Sequence, residues 1–150
     1  MFRKILYPTD FSDDAKKALE YVKRLKEAGT KEVVILHVIH EYGLDSVLEG
    51  CEWAGLEVEK CKEDVLGDIV KDKEAKAKKI LEEIEEIGIK GVIRVEIGNP
   101  ASKILEVSEE KNVSLIVMGA HGERKVLELL LGSVTEKVVR HSKIPVLVIR

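Results

Sequence analysis

Short runs of β-branched and aliphatic residues alternate along this chain with stretches whose apolar residues recur at helical spacing. That alternation confines the fold to a parallel sheet covered by helices. Ile5-Leu6-Tyr7 reads as a first strand stopped by Pro8. Ser12, followed by Asp13 and Asp14, opens a helix, because its hydroxyl can cap the first amides and the acids suit the positive end of the dipole. Ala15, Ala18, Leu19, Val22 and Leu25 form its apolar face, and Gly29 closes it. Val33 to Ile39 is almost continuously apolar, the pattern of a strand buried on both faces.

Farther along, Ala77, Ile80, Leu81, Ile84 and Ile87 mark a long helix ending at Gly88, and Val92 to Ile97 a third strand. Pro100 begins a helix that runs to about Lys111, with Ile104, Leu105 and Val107 on its inner face. Leu115 to Met118 is the fourth strand, Val134 to His141 a helix, and Val146 to Ile149 the last strand. The expected fold is a single α/β domain over residues 1–150, a doubly wound five-stranded sheet with four intervening helical regions. Residues 41 to about 72 lack a clean period and are read as a variable helical or loop excursion without assigned boundaries.

Composition bounds the function. A net charge of -3 and a hydrophobic share of 45% describe a globular chain without the basic face that nucleic acid binding requires. No apolar run approaches the roughly 18 residues of a membrane span, and the N-terminus lacks the apolar core of a secretion signal, so a cytoplasmic protein with no membrane partner is expected. The chain has no glutamine, only Asn99 and Asn112 as asparagines, and charges dominated by Lys and Glu, which suggests a thermophilic source. Cys51 and Cys61 show no metal-site spacing; on one helix they would lie about 15 Å apart, too far for a bridge. A disulfide would need a turn between them, at Ala54-Gly55, and the expectation is two ordinary thiols.

In doubly wound sheets ligands sit beyond the carboxyl ends of the strands, where strand order reverses. Just after the fourth strand comes Gly119-Ala120-His121-Gly122, then nine residues, then Gly132-Ser133-Val134-Thr135. Glycines there let backbone N–H groups approach a phosphate with no Cβ in the way, and Gly132-Ser133 stands where a helix begins, with its unpaired amides and favourable dipole. Ser133 to Glu136 also fits S-x-x-E, a capping box that needs no ligand.

Taken together, Tyr7-Pro8-Thr9-Asp10, Met118-Gly119-Ala120-His121-Gly122, Gly132-Ser133-Val134-Thr135 and the closing Pro145 to Ile149 resemble the universal stress protein family, specifically its ATP-binding branch. The resemblance implies a sheet order of 3-2-1-4-5 with helices on both faces. It implies Asp10 at the ribose, with Pro8 and Thr9 shaping the wall beside it, Val38 against adenine, and Met118 and Gly119 on the ribose and base side. Gly122, Gly132, Ser133, Val134 and Thr135 would cradle the phosphates of ATP, ADP or AMP, with Mg²⁺ carried on them. For Asp10 a helix cap is the alternative, and for Val38 a place in the core. His121 would touch ribose or phosphate, or stand exposed in its loop, and Arg124 and Lys125 would screen phosphate charge or face solvent. A homodimer through the strand at 145–149 and an unknown protein partner are also implied.

The chain has no G-x4-GK[ST], GxGxxG, HExxH or GxSxG motif and no evident water-activating base. The expected function is a nucleotide-dependent switch in stress response, ahead of a slow ATPase or phosphotransferase and of a nucleotide-free dimeric module.

Overall fold

The computed structural model describes residues 1–122 and 130–150. Five parallel strands, β1 (Lys4–Pro8), β2 (Glu32–His40), β3 (Lys90–Gly98), β4 (Leu115–Gly119) and β5 (Val146–Ile149), lie in the order β3-β2-β1-β4-β5. The helices are α1 (Asp13–Arg24), α2 (Glu41–Trp53), α3 (Val58–Glu86), α4 (Pro100–Glu110) and α5 (Ser133–His141). The family order and both-face covering expected from sequence are what the chain adopts.

The covering follows from handedness. Right-handed crossovers that step from β1 to β2 to β3 place α1 and α3 on one face, and the return from β3 to β4 and on to β5 places α4 and α5 on the other. Each face then has its own core. Ile5, Tyr7, Val33 and Ile35 meet Ala18, Leu19 and Val22 of α1 and Ala77 and Ile84 of α3. Leu6, Val34, Leu36, Ile116 and Met118 meet Ala101, Ile104 and Val107 of α4 and Val138 of α5. Alternate residues of β1 and β2 thus point to opposite cores, which is why these strands read as unbroken apolar runs.

Helix signals written locally are obeyed. Ser12 accepts from the Ala15 amide at 3.3 Å and Asn99 from the Ser102 amide at 3.1 Å, with Pro100 in the first turn of α4. The capping box that Ser133 to Glu136 could form is not adopted: Gly132 is the N-cap of α5, and no side chain caps it. Ser133 is already the first helical residue, one position too late to accept from its own second turn.

The excursion is a helical pair. α2 leaves β2 directly, and a turn at Ala54-Gly55, with Gly55 at φ +67°, reverses the chain into α3. Cys51 and Cys61 are disulfide-bonded across that turn, with Cα atoms 6.0 Å apart. The turn stands where the sequence placed it, but the expectation of two ordinary thiols is overturned, because antiparallel packing of α2 on α3 brings together residues a single helix would hold apart. Only Cys51 of α2 is buried, so the bridge is a main tie between this helix and the rest of the molecule. Among the described residues no helix is long and apolar enough to cross a membrane.

Candidate functional site

β1 runs beside β4, with Ile5 opposite Leu115 and Leu6 opposite Ile116, and the chain leaves these two strands toward opposite faces. Their carboxyl ends therefore border the crevice that strand reversal opens, flanked by the N-termini of α1 and α5.

On the β1 side the chain turns within four residues. Thr9 Oγ1 accepts from the Phe11 amide and Asp10 Oδ1 from the Ser12 amide, both at 3.0 Å, and Phe11 takes φ +65° to make the turn. A left-handed non-glycine residue costs on the order of 1–3 kcal/mol, which the surrounding contacts must offset. The Phe11 ring stacks on His37 with centroids 4.9 Å apart, while Lys73 and Lys76 of α3 lie 5.9 and 5.7 Å from its centre. His37 in turn bonds the Thr9 carbonyl through Nδ1 at 2.8 Å. Ser12, not Asp10, is the cap of α1, so the alternative of Asp10 as helix cap does not hold.

On the β4 side three glycines are fixed by close approach. A Cβ on Gly119 would lie 2.8 Å from the Asp14 carbonyl carbon and 2.9 Å from the Ala15 nitrogen. A Cβ on Gly122 would lie 2.6 Å from Asp10 Oδ2, and one on Gly132 3.3 Å from the Ala120 oxygen. These contacts put the Asp10 carboxylate against the Gly122 backbone, across the crevice from its own strand. The Gly132 amide donates to the Ala120 carbonyl at 2.8 Å and closes the base of the turn.

α5 starts immediately behind. Its first internal bond runs from the Glu136 amide to the Gly132 carbonyl, so the amides of Ser133, Val134 and Thr135 precede the helical ladder. Ser133 is exposed, Val134 half-buried and Thr135 buried. Thr135 Oγ1 donates to the Gly119 carbonyl at 2.9 Å, so its hydroxyl pins α5 to β4 and only its amide remains for a ligand. Pro8 and Thr9 are buried beside the crevice. Met118 is 5% exposed within the α4/α5 core, supporting the crevice from beneath, and Val38 packs half-buried against that core, consistent with its alternative reading.

His121 is neither exposed nor aimed into the crevice. Its Nδ1 lies 2.9 Å from Asp14 Oδ2, and its Nε2 meets the Leu130 carbonyl. Burial raises the Asp14 carboxyl, but the His121 ring, the Lys17 ammonium and the His121 backbone amide outweigh it and hold the group below the usual carboxylate range. Sequence reasoning noted Asp14 only as a dipole partner, and a contact across 107 positions leaves no local signal. Phe11 was likewise missed; nothing in a Thr-Asp-Phe-Ser run announces a left-handed phenylalanine. Arg124 and Lys125 lie outside the described residues.

The crevice thus gathers helix-start amides that precede the α5 ladder, a glycine-lined turn against which Asp10 and the start of α1 pack closely, and one carboxylate opposite. Such a set suits a polyanion linked to a hydroxylated group. A depression of about 480 Å³ also lies at the opposite end of the sheet, at the amino ends of its strands, lined by Arg3, Lys4, Lys31, Glu32, Lys90 and Ser114. It lies away from the carboxyl ends of the strands, where ligands sit in sheets of this kind, so we place the candidate site at the β1/β4 crevice.

A family model described as the universal stress protein family matches residues 1–150. The universal stress protein MJ0577 of Methanocaldococcus jannaschii is 37% identical over 155 residues, covering 100% of this chain and 96% of that protein. Universal stress protein YxiE of Bacillus subtilis is 34% identical, with 100% of each chain covered. The solved structure of MJ0577 superposes with a TM-score of 0.86 over 99% of this chain and 96% of that one. At the level of fold, with 22% and 19% identity and TM-scores of 0.62 and 0.63, the chain is also similar to a universal stress protein in complex with cAMP and to one from Archaeoglobus fulgidus in complex with dAMP. The first alignment covers 99% of this chain and 97% of that one, the second 100% and 98%.

Proposed function

This chain belongs to the universal stress protein family, and from that premise we propose that it binds an adenine nucleotide in the β1/β4 crevice and acts as a nucleotide-dependent switch. The observation that carries the reading is the meeting, at one point, of the α5 first-turn amides with the Gly119–Gly122 turn and the Asp10 carboxylate. ATP, ADP or AMP would place its phosphates on the amides of Gly122 and Gly132 to Thr135 and on the Ser133 hydroxyl, and its ribose on Asp10. Pro8 and Thr9 form the wall, Gly119 lets the start of α1 close on β4 beside the ribose and base, and Val38 offers an apolar edge to the base. The two relatives solved with cAMP and dAMP support an adenylate as the ligand class. Mg²⁺ would ride on the phosphates with its own waters.

Binding is favoured over turnover because Asp14 and His121, two groups near the turn able to move a proton, are engaged with each other inside the protein. Under the same reading the protein is cytoplasmic, a second copy pairs along β5, the outer strand of the sheet, and a protein partner reads the nucleotide state. Titration calorimetry with Mg-ATP, ADP and AMP tests the site: saturable heat with at least one is expected. No heat from any of them, with no adenine released when the purified protein is denatured, would remove the reading. Phosphate release well above that of an Asp10→Ala variant would instead make the protein an enzyme.

A further inference from the structure

The nucleotide reading leaves a buried charged pair without a role. His121 is 9% exposed and Asp14 5%. Both ring nitrogens are engaged, Nδ1 with Asp14 Oδ2 at 2.9 Å and Nε2 with the Leu130 carbonyl. The His121 main chain is tied as well, its carbonyl accepting from Ser12 Oγ at 3.5 Å. One side chain therefore joins the first turn of α1 to both described flanks of the motif, residues 120–122 and 130–132.

The chemistry of the two partners is unequal to a neutral ring. A neutral imidazole carries one N–H and one lone pair, whereas an ionised carboxylate and a peptide carbonyl only accept. Both contacts are satisfied together only by a ring with two N–H groups; with one proton gone, a lone pair faces a lone pair in a buried site. We propose that His121 is a positioning residue that holds the phosphate-facing turn in place as an imidazolium, and that loss of its proton loosens the turn and weakens nucleotide binding; the binding half rests on the nucleotide reading above. The ring does not act by attracting phosphate, since Asp14 neutralises it. It acts by fixing where the Gly122 and Gly132 amides stand.

Among the described residues, the titratable groups facing this pair are Asp14 itself and Lys17, whose Nζ is 3.6 Å from Asp14 Oδ1, both on α1. From the turn after β1 comes Asp10, with its carboxylate against Gly122. Among the described residues, the Leu130 side contributes a carbonyl only.

The test reads the ring directly, before any nucleotide is added. In ¹⁵N-labelled protein, long-range ring correlations are assigned to His121 by their loss in His121→Gln or, should that variant not fold, by through-space contact with Leu130. Two protonated ring nitrogens at neutral pH are expected, and Asp14→Asn should convert them to a single neutral tautomer. Mg-ATP affinity should then fall about tenfold, the worth of one charged hydrogen bond, as pH rises from neutral until the ring signal changes. In Asp14→Asn the affinity should already be low and flat with pH. A single neutral tautomer at neutral pH, or an Mg-ATP affinity that ignores the ring's change of state, overturns the proposal. If the parent binds no adenylate at any pH, the nucleotide reading fails, and with it the binding half; the ring spectrum still decides whether His121 is an imidazolium.

Discussion

Gly119 and Gly122 stand three residues apart in one motif, yet a methyl group at each meets different matter, and the pair separates scaffold from site. In Gly119→Ala the new Cβ falls 2.8–2.9 Å from the backbone of Asp14 and Ala15, atoms locked into the first turn of α1. Neither side can yield without moving α1 off the sheet or straining the Thr135 bond to the Gly119 carbonyl. Overpacking of this kind costs about 3 kcal/mol, which in a chain of this size lowers Tm by roughly 6–12 °C. Among the described residues, the methyl of Gly122→Ala meets only the Asp10 carboxylate, with Oδ2 at 2.6 Å, the end of a side chain that can swing away. That motion sacrifices the 3.0 Å bond from the Ser12 amide, about 1 kcal/mol, or roughly 2–4 °C. The ranking reverses for ligand: with Asp10 displaced and a methyl over the amide, Gly122→Ala should lose most of its Mg-ATP affinity. Urea unfolding with an unchanged m-value gives the stabilities and calorimetry the affinities. Equal midpoints for Gly119→Ala and the parent, or a Gly122→Ala variant that keeps full affinity, would refute the argument.

Two further outcomes are expected from the scaffold. Burial pushes the Tyr7 phenol up to about 12, and its hydroxyl donates to the Ala15 carbonyl at 2.6 Å. The unfolded phenol releases its proton near pH 10, so between about 10 and 12 the unfolded chain binds fewer protons and stability must fall as pH rises. Tyr7→Phe should be about 1 kcal/mol less stable at neutral pH, and its deficit should shrink across that alkaline window; a constant deficit in parallel urea titrations would contradict the burial argument. Reducing the Cys51–Cys61 bridge opens a segment whose ends are ten residues apart, worth about 2.5–3 kcal/mol in the chain-entropy account. The loss should appear as faster amide exchange in α2 with the sheet amides unchanged; identical exchange with and without reductant would show that packing alone holds α2.

What the sequence disclosed and what it hid divide along a physical line. Strands were legible because β1, β2 and β4 are buried on both faces, which writes an unbroken apolar run, and caps at Ser12 and Asn99 because capping is decided within three residues. α2 was illegible because it buries only Cys51 and so has no apolar stripe to read. The first half of α3 was lost for the same reason: its buried residues, Ala77 and Ile84, fall in its second half. At the site the glycine spacing was legible, but not the division of labour within it. Thr135 reads as a ligand hydroxyl in sequence and is a strut in space, and His121 reads as a loop residue and is an internal tie.

That division has a common cause. A site built from backbone amides needs the backbone held still by something other than the amides themselves. Side chains within the motif meet this need by bonding outward, Thr135 to the Gly119 carbonyl of β4 and His121 to Asp14 of α1. The glycines expose the main chain, while the polar residues between them anchor it. A motif of this kind is therefore two interleaved patterns, and a substitution can remove binding by filling the space at Gly122 or by freeing the backbone at His121. The first should leave the ring spectrum of His121 as it was, whereas the second should leave the space at Gly122 open and still weaken binding; Gly122→Ala and His121→Gln, measured side by side, tell the two apart.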